Sequence, residues 1–205
     1  MEQRSKRKGI IPTELARMIS ADMYKTYQPI RAHPNASQWR TQAYEEVIDS
    51  LKQFDFVGKR ILEVGPCYGY YSFWFDGNGA EVTAIESNAG RYEICEGLNE
   101  FYHGSVNFIH GDIMEYIKDS NVDFDVLFLQ NIFHHLLRHY KEEAFMLLND
   151  TNIPWMFLTM GSTLGPWSLN VPKGNIPLMI LNHSKYRLAK KIGKWYHRDT
   201  YFFER

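Results

Sequence analysis

Two hydrophobic rhythms alternate along the chain. Between Gln38 and Phe54, apolar side chains return at Trp39, Ala43, Val47, Ile48 and Leu51, the three-to-four spacing of a helix that lays one face on a core. From Arg60 onward, short apolar runs each lead into a helical stretch. Ile61–Val64, Glu81–Ile85, Val106–Ile109, Val126–Leu129 and Trp155–Thr159 read as strands. Between them, Tyr70–Phe75, Asn88–Tyr102 (Tyr92, Cys95, Leu98 and Tyr102 on one face) and residues 136–150 read as helices. Such alternation predicts a parallel sheet covered on both faces. Upstream, Thr13 is placed to cap a helix from Glu14, and Pro29 and Pro34 break the chain before Ser37 opens the next helix. Downstream the alternation stops. Gly161–Pro177 reads as loop, and Tyr186–Ile192 and Thr200–Phe203 as neighbouring strands with no crossover helix between them, hence antiparallel. The expected fold is α/β: a mostly parallel sheet with an antiparallel strand at the C-terminus, plus N-terminal helices.

Composition narrows this picture only a little. With 205 residues, 44% apolar and 23% charged, the chain has the profile of one globular domain. A net charge of −1 gives no overall attraction to nucleic acid or to anionic membranes. Cys67 and Cys95 are too few for a disulfide framework or a four-cysteine zinc site. Met1–Lys8 is basic but no apolar core follows it, and no apolar run approaches the ~20 residues of a membrane span. A cytoplasmic protein with no membrane partner is expected. Aromatic residues reach 15%, enough to build a dense core or to line a pocket.

The informative segment is Glu63-Val64-Gly65-Pro66-Cys67-Tyr68-Gly69, between a strand and a helix. Glycines there let a ligand approach the backbone at the carboxyl edge of the sheet. Glu86 ends the second strand, where an acid commonly grips a ribose diol, and Asp112 follows Gly111 after the third. A dinucleotide fingerprint needs glycines where Cys67 and Tyr70 stand. S-adenosylmethionine has no phosphate, but its ammonium suits Glu63, its ribose Glu86 and its adenine amine Asp112, so it accounts for all three acids.

At these residues the chain resembles the class I S-adenosylmethionine-dependent methyltransferases of the small-molecule type. The similar features are E-x-G-x-x-x-G (Glu63, Gly65, Gly69), Glu86, Gly111-Asp112, and Phe124–Asn131 followed by Phe133-His134-His135-Leu136. The resemblance implies a Rossmann-like sheet of seven strands with an antiparallel final hairpin. It also implies a cofactor site drawn from Glu63, Gly65, Pro66, Gly69, Glu86, Asp112, Ile113, Gln130 and Asn131. The core would take residues 58–205, leaving 1–57 as a helical lid and no room for a separate substrate domain. Cys67 departs from the family's frequent middle glycine.

Each of these residues also has a plain structural reading: Gly65 and Gly69 as an ordinary turn, Glu86 as a cap before Asn88, Asp112 as a cap on Ile113–Ile117. His134 and His135 are the candidate catalytic residues, since a histidine can take a proton from an attacking hydroxyl. Neighbours on a helix diverge by about 100°, so one of them at most faces substrate. No spacing among His110, His134, His135 and His139 completes a metal site. The expected reaction is O-methylation of a small-molecule or glycan-like acceptor, in a pocket drawn from Tyr24, Tyr27, His33, Trp39, His134, His135 and Trp167. The basic run Lys185, Arg187, Lys190, Lys191, Lys194 and Arg198, interleaved with Trp195 and Tyr196, keeps an RNA acceptor as an alternative. A catalytically silent binding module is the other.

Overall fold

The computed structural model describes residues 11–23, 25–30, 38–119, 123–160 and 175–205. Seven strands form one sheet: β1 (Arg60–Val64), β2 (Glu81–Glu86), β3 (Asn107–His110), β4 (Val126–Gln130), β5 (Trp155–Thr159), β6 (Leu188–Trp195) and β7 (Arg198–Glu204). Their order is β3-β2-β1-β4-β5-β7-β6. All pairings from β3 to β5 are parallel, while β7 runs antiparallel to both β5 and β6. The sheet is therefore mostly parallel with one antiparallel strand, as the pattern predicts.

Parallel register sends alternate residues to opposite faces. Ile61, Val82, Ala84, Val126, Phe128, Phe157 and Phe202 join one core, with α2 (Gln38–Leu51), α3 (Tyr70–Gly77) and α4 (Ala89–Tyr102). Leu62, Val64, Ile85, Leu127, Leu129, Met156, Leu158 and Phe203 join the other, with α5 (Ile113–Asp119), α6 (Phe133–Tyr140), α7 (Met146–Asp150) and α8 (Ile176–His183). The first face is a mesh of rings, including Phe54–Phe157 at 4.9 Å and Phe56–Phe75 at 5.0 Å between centroids. Edge-to-face pairs of this kind contribute about 0.5–1.5 kcal/mol each beyond area burial. Much of the aromatic excess is thus spent on one layer of core. A third cluster seats α1 (Thr13–Ala21) on α4 and the β1–α3 loop through Leu15, Ile19, Ile94, Leu98 and Tyr68. Asp22, just past α1, pairs with Arg91 on α4 at 3.1 Å.

Four local expectations are corrected. Thr13 is the first helical residue and Pro12 the cap position, with no side-chain cap, because proline's fixed φ suits a helix entrance. Residues 136–150 are not one helix. Lys141, at φ 54°, ends α6 and a 3-10 turn over Lys141–Phe145 re-aims the chain into α7. Within the stretch read as loop, α8 begins at Ile176 with proline in its first turn. Finally, β6 lies two to three residues later than expected and β7 extends past both expected ends, the two closing through a tight turn in which Tyr196 takes φ 54°. Ser37, Pro34 and residues 161–174 lie outside the described residues. No helix among the described residues is long and apolar enough to cross a membrane.

Candidate functional site

The β1–α3 loop rises at the carboxyl edge of the sheet. Gly65 (φ 67°), Cys67 (φ 61°) and Gly69 (φ 74°) all take left-handed backbone, which a β-branched residue could not adopt without strain. A Cβ on Gly65 would stand 2.9 Å from Ile132 Cδ1, and one on Gly69 2.9 Å from Phe73. Cys67, between the two glycines, is buried and takes the same left-handed backbone as they do.

The loop's N–H groups already have acceptors. Cys67 N donates to Glu86 Oε2 (3.1 Å), and Tyr68 N and Tyr70 N donate to Gln28 Oε1 (2.7 and 3.2 Å). Gln28 Nε2 in turn donates to Pro66 O (2.9 Å). A pyrophosphate needs such N–H groups free; here they hold the loop's own shape. A phosphate at this loop would have to displace Glu86 and Gln28 from those donors, whereas a nucleoside without phosphate makes no such demand. Gln28 is the residue that sequence reasoning missed. It stands in no motif, and only its burial between two loops reveals it.

Three acids cluster at the ends of β1, β2 and β3. Glu63 is buried, accepts from Ser72 Oγ, and is raised to about 7 by burial, with the Glu86 charge adding to the shift. Glu86 is buried and also raised by burial; besides Cys67 N, it accepts from Asn88 N at 2.9 Å. Glu86 therefore ties down the β1–α3 loop and, as the capping reading expects, also caps the turn into α4. Gly111 N donates to Glu86 O (3.1 Å), which draws Asp112 to the same edge. Asp112 caps α5 through Met114 N (2.7 Å) and accepts from the Tyr140 hydroxyl, a bond that raises Tyr140 to about 12. Ile113 is buried in the aliphatic core beside it, and Pro66 lies in the loop.

On the other side of the loop, Asn131 follows β4 at φ 56°. Its N–H donates to Thr159 O (2.8 Å), and its Oδ1 accepts from Arg198 Nη1 (2.8 Å). Gln130 Nε2 and Asn131 Nδ2 are buried without partners. His134 and His135 open α6 with ring centroids 4.2 Å apart. Burial, then the charges of His135 and Arg198, lower His134 to about 3; desolvation, then Arg138 and Arg198, lower His135. Both shifts favour the neutral imidazole.

Of the expected pocket residues, Tyr24, His33 and Trp167 lie outside the described residues. Tyr27 and Trp39 do gather at this edge, beside the β6–β7 turn. Tyr27 stands 6.0 Å from Trp195, Trp39 stands 5.0 Å from Tyr196, and the Arg40 guanidinium lies 4.9 Å from the Trp39 ring centre. Among the described residues no three His, Cys, Asp or Glu side chains gather as a metal site.

Residues 62–148 match the family model described as "Methyltransferase domain". Among curated proteins no sequence matches the chain. Among solved structures, the bifunctional kinase-methyltransferase WbdD is similar with a TM-score of 0.71 and 20% identity over 93% of this chain. That match takes in 46% of WbdD, so the chain spans just under half of that protein. The PH0226 protein from Pyrococcus horikoshii OT3 is similar with a TM-score of 0.62 and 14% identity, over 85% of this chain and 96% of that one. Magnesium protoporphyrin IX methyltransferase (ChlM) from Synechocystis PCC 6803, with bound SAM, gives 0.60 and 10%, over 94% and 90%.

Proposed function

We propose that this chain, a class I S-adenosylmethionine-dependent methyltransferase, methylates an oxygen of a small-molecule or glycan-like acceptor. The observation that carries the reading is the split edge of the sheet. Three acids lie on one side of the Gly65–Gly69 loop, and unpartnered donors and aromatic rings lie on the other.

The bound cofactor supplies a methyl group already activated on a sulfonium. In this proposal Glu63 faces the ammonium, Glu86 the ribose diol, and Asp112 with Ile113 the adenine. Gly65, Pro66 and Gly69 allow the close backbone approach, and Gln130 and Asn131 border the amino-acid end. Gln28 and Glu86 keep the loop in its binding shape before the cofactor arrives. Such preorganisation matters because alignment of two reactants supplies about 7–11 kcal/mol of barrier reduction. His134 and His135 stand at the acceptor side as neutral imidazoles, able to orient an oxygen by hydrogen bonding. Residues 1–57 would then be the extension of a catalytic domain at 58–205, fastened to it by α1 and Gln28, with α2 packed into the sheet's core.

Incubating the protein and a cell extract with methyl-labelled S-adenosylmethionine tests this. Label in a small or glycan fraction is the expected result. Label in RNA would move the acceptor class to the basic run on β6, and cofactor binding with no labelled product would leave a silent module.

A further inference from the structure

The reading of the site as a methyltransferase leaves Arg198 unexplained. Its guanidinium donates to Asn131 Oδ1 and lies 5.3 Å from the Trp195 ring centre, while Nε is buried without a partner. Among the described residues no carboxylate pairs with it. The nearby acid, Asp199, is engaged by Lys191 Nζ at 2.6 Å and by the Tyr201 hydroxyl at 3.2 Å. An unpaired, partly buried cation is costly unless something negative meets it.

Arg198 also has company. The buried polar atoms left without partners include Gln130 Nε2, Asn131 Nδ2, His134 Nδ1, Trp195 Nε1 and the Tyr196 hydroxyl. With Arg198 Nε they come from two short segments, 130–134 and 195–198, and all six carry a hydrogen or can. Arg40, on α2, adds a second guanidinium 5.5 Å from the Tyr27 ring centre. Residues 130–134 end β4 and lead into α6, and residues 195–198 make the β6–β7 turn, whereas Glu63, Glu86 and Asp112 stand at β1, β2 and just past β3. At about 4.8 Å per strand, β7 stands roughly 14 Å from β1. Trp195, Tyr196 and Arg198 therefore stand on the acceptor side, with Gln130, Asn131 and His134 between them and the cofactor.

Building on the methyltransferase reading, we infer that the acceptor presents its reacting oxygen as an anion, a carboxylate or a phosphate monoester, seated on Arg198 among these donors. The chemistry then needs no base. The anionic oxygen gives a lone pair to the methyl carbon, and the carbon–sulfur pair leaves with sulfur. One negative charge on oxygen and the positive charge on sulfur are lost together, leaving a neutral ester from a carboxylate or a monoanionic diester from a phosphate dianion, and no proton moves. His134, half-buried beside the Arg198 charge, suits that step: its imidazole is favoured neutral, able to donate a hydrogen bond, and is not asked to take a proton.

The test begins with titration of S-adenosylhomocysteine into the full chain; absence of binding would defeat the methyltransferase reading itself. The loaded protein is then titrated with phenyl phosphate, benzoate and phenol, which share a ring and differ in charge. The expected result is at least tenfold tighter binding of one anion than of phenol, and the tighter anion names the acid class. Arg198→Gln should abolish that preference and Arg198→Lys should restore part of it, while S-adenosylhomocysteine still saturates each protein at one site. Equal binding of phenol and both anions by the wild-type protein would overturn the inference without recourse to any variant. So would an Arg198→Gln protein that keeps the anion preference but loses S-adenosylhomocysteine tenfold, since the arginine would then hold the cofactor's own carboxylate.

Discussion

Glu63 carries opposite demands on one side chain. Burial raises its carboxyl to about 7 from an ordinary 4.5, so between those values the folded chain holds a proton that the unfolded chain has released. Its contribution to stability is therefore full below the unfolded value and is lost as pH rises through the folded one. Glu63→Gln stays neutral throughout. Relative to wild type it should gain on the order of 2–3 kcal/mol between about pH 4.5 and about pH 8, read by denaturant unfolding at each pH; a difference that stays flat across that range contradicts the assignment. Glu63, Glu86 and Asp112 were legible in the sequence because each ends or follows a strand in a fixed motif. Gln28 and Arg198 were not. Gln28 lies far from the loop it holds, 38 residues before Pro66, and Arg198 reads as one more charge in a basic run until the hairpin turns it onto Asn131. No local pattern records a contact made by folding over such separations.

Among the elements, β6 shows how one strand serves two purposes. Lys190, Lys191 and Lys194 are exposed on this edge strand, where lysines discourage pairing with another chain. Inward, Gly193 sits at a register shift and meets α2 so closely that a Cβ would stand 1.8 Å from Ser50 Oγ and 2.8 Å from Ser50 Cβ. Gly193→Ala should destabilise the chain by about 1–3 kcal/mol, a fall of roughly 2–4 °C in Tm per kcal/mol. Adding Ser50→Gly should return most of the loss; a double variant no more stable than the single one would show that α2 does not rest on that glycine. Strand positions were legible to within a few residues because buried parallel strands are continuous apolar runs. Helix α8 was hidden by Gly165, Pro166, Pro172 and Pro177, which break periodicity in its approach and occupy its first turn. The break at Lys141 carries no glycine to announce its positive φ.

At the scale of the whole molecule, the sheet divides labour along its edge. Its aromatic face gives α2 and α3 a rigid seat, so the loop between β1 and α3 is held from below by ring packing, from the side by Glu86 and from above by Gln28. The near-zero net charge conceals a polarity: acids gather over β1–β3, and cations and unpartnered donors over β4–β7. Sequence alone established the sheet and the acid side, because motifs there are contiguous. The donor side emerges only when the C-terminal hairpin inserts β7 between β5 and β6. The most direct test is calorimetric titration of S-adenosylhomocysteine into the wild-type chain and into Glu86→Ala. Saturable binding at a single site, weakened at least tenfold by the substitution, is the expected result. An absence of binding to the wild type, or equal affinity in the two proteins, would contradict the seat formed by Glu86 and the Gly65–Gly69 loop.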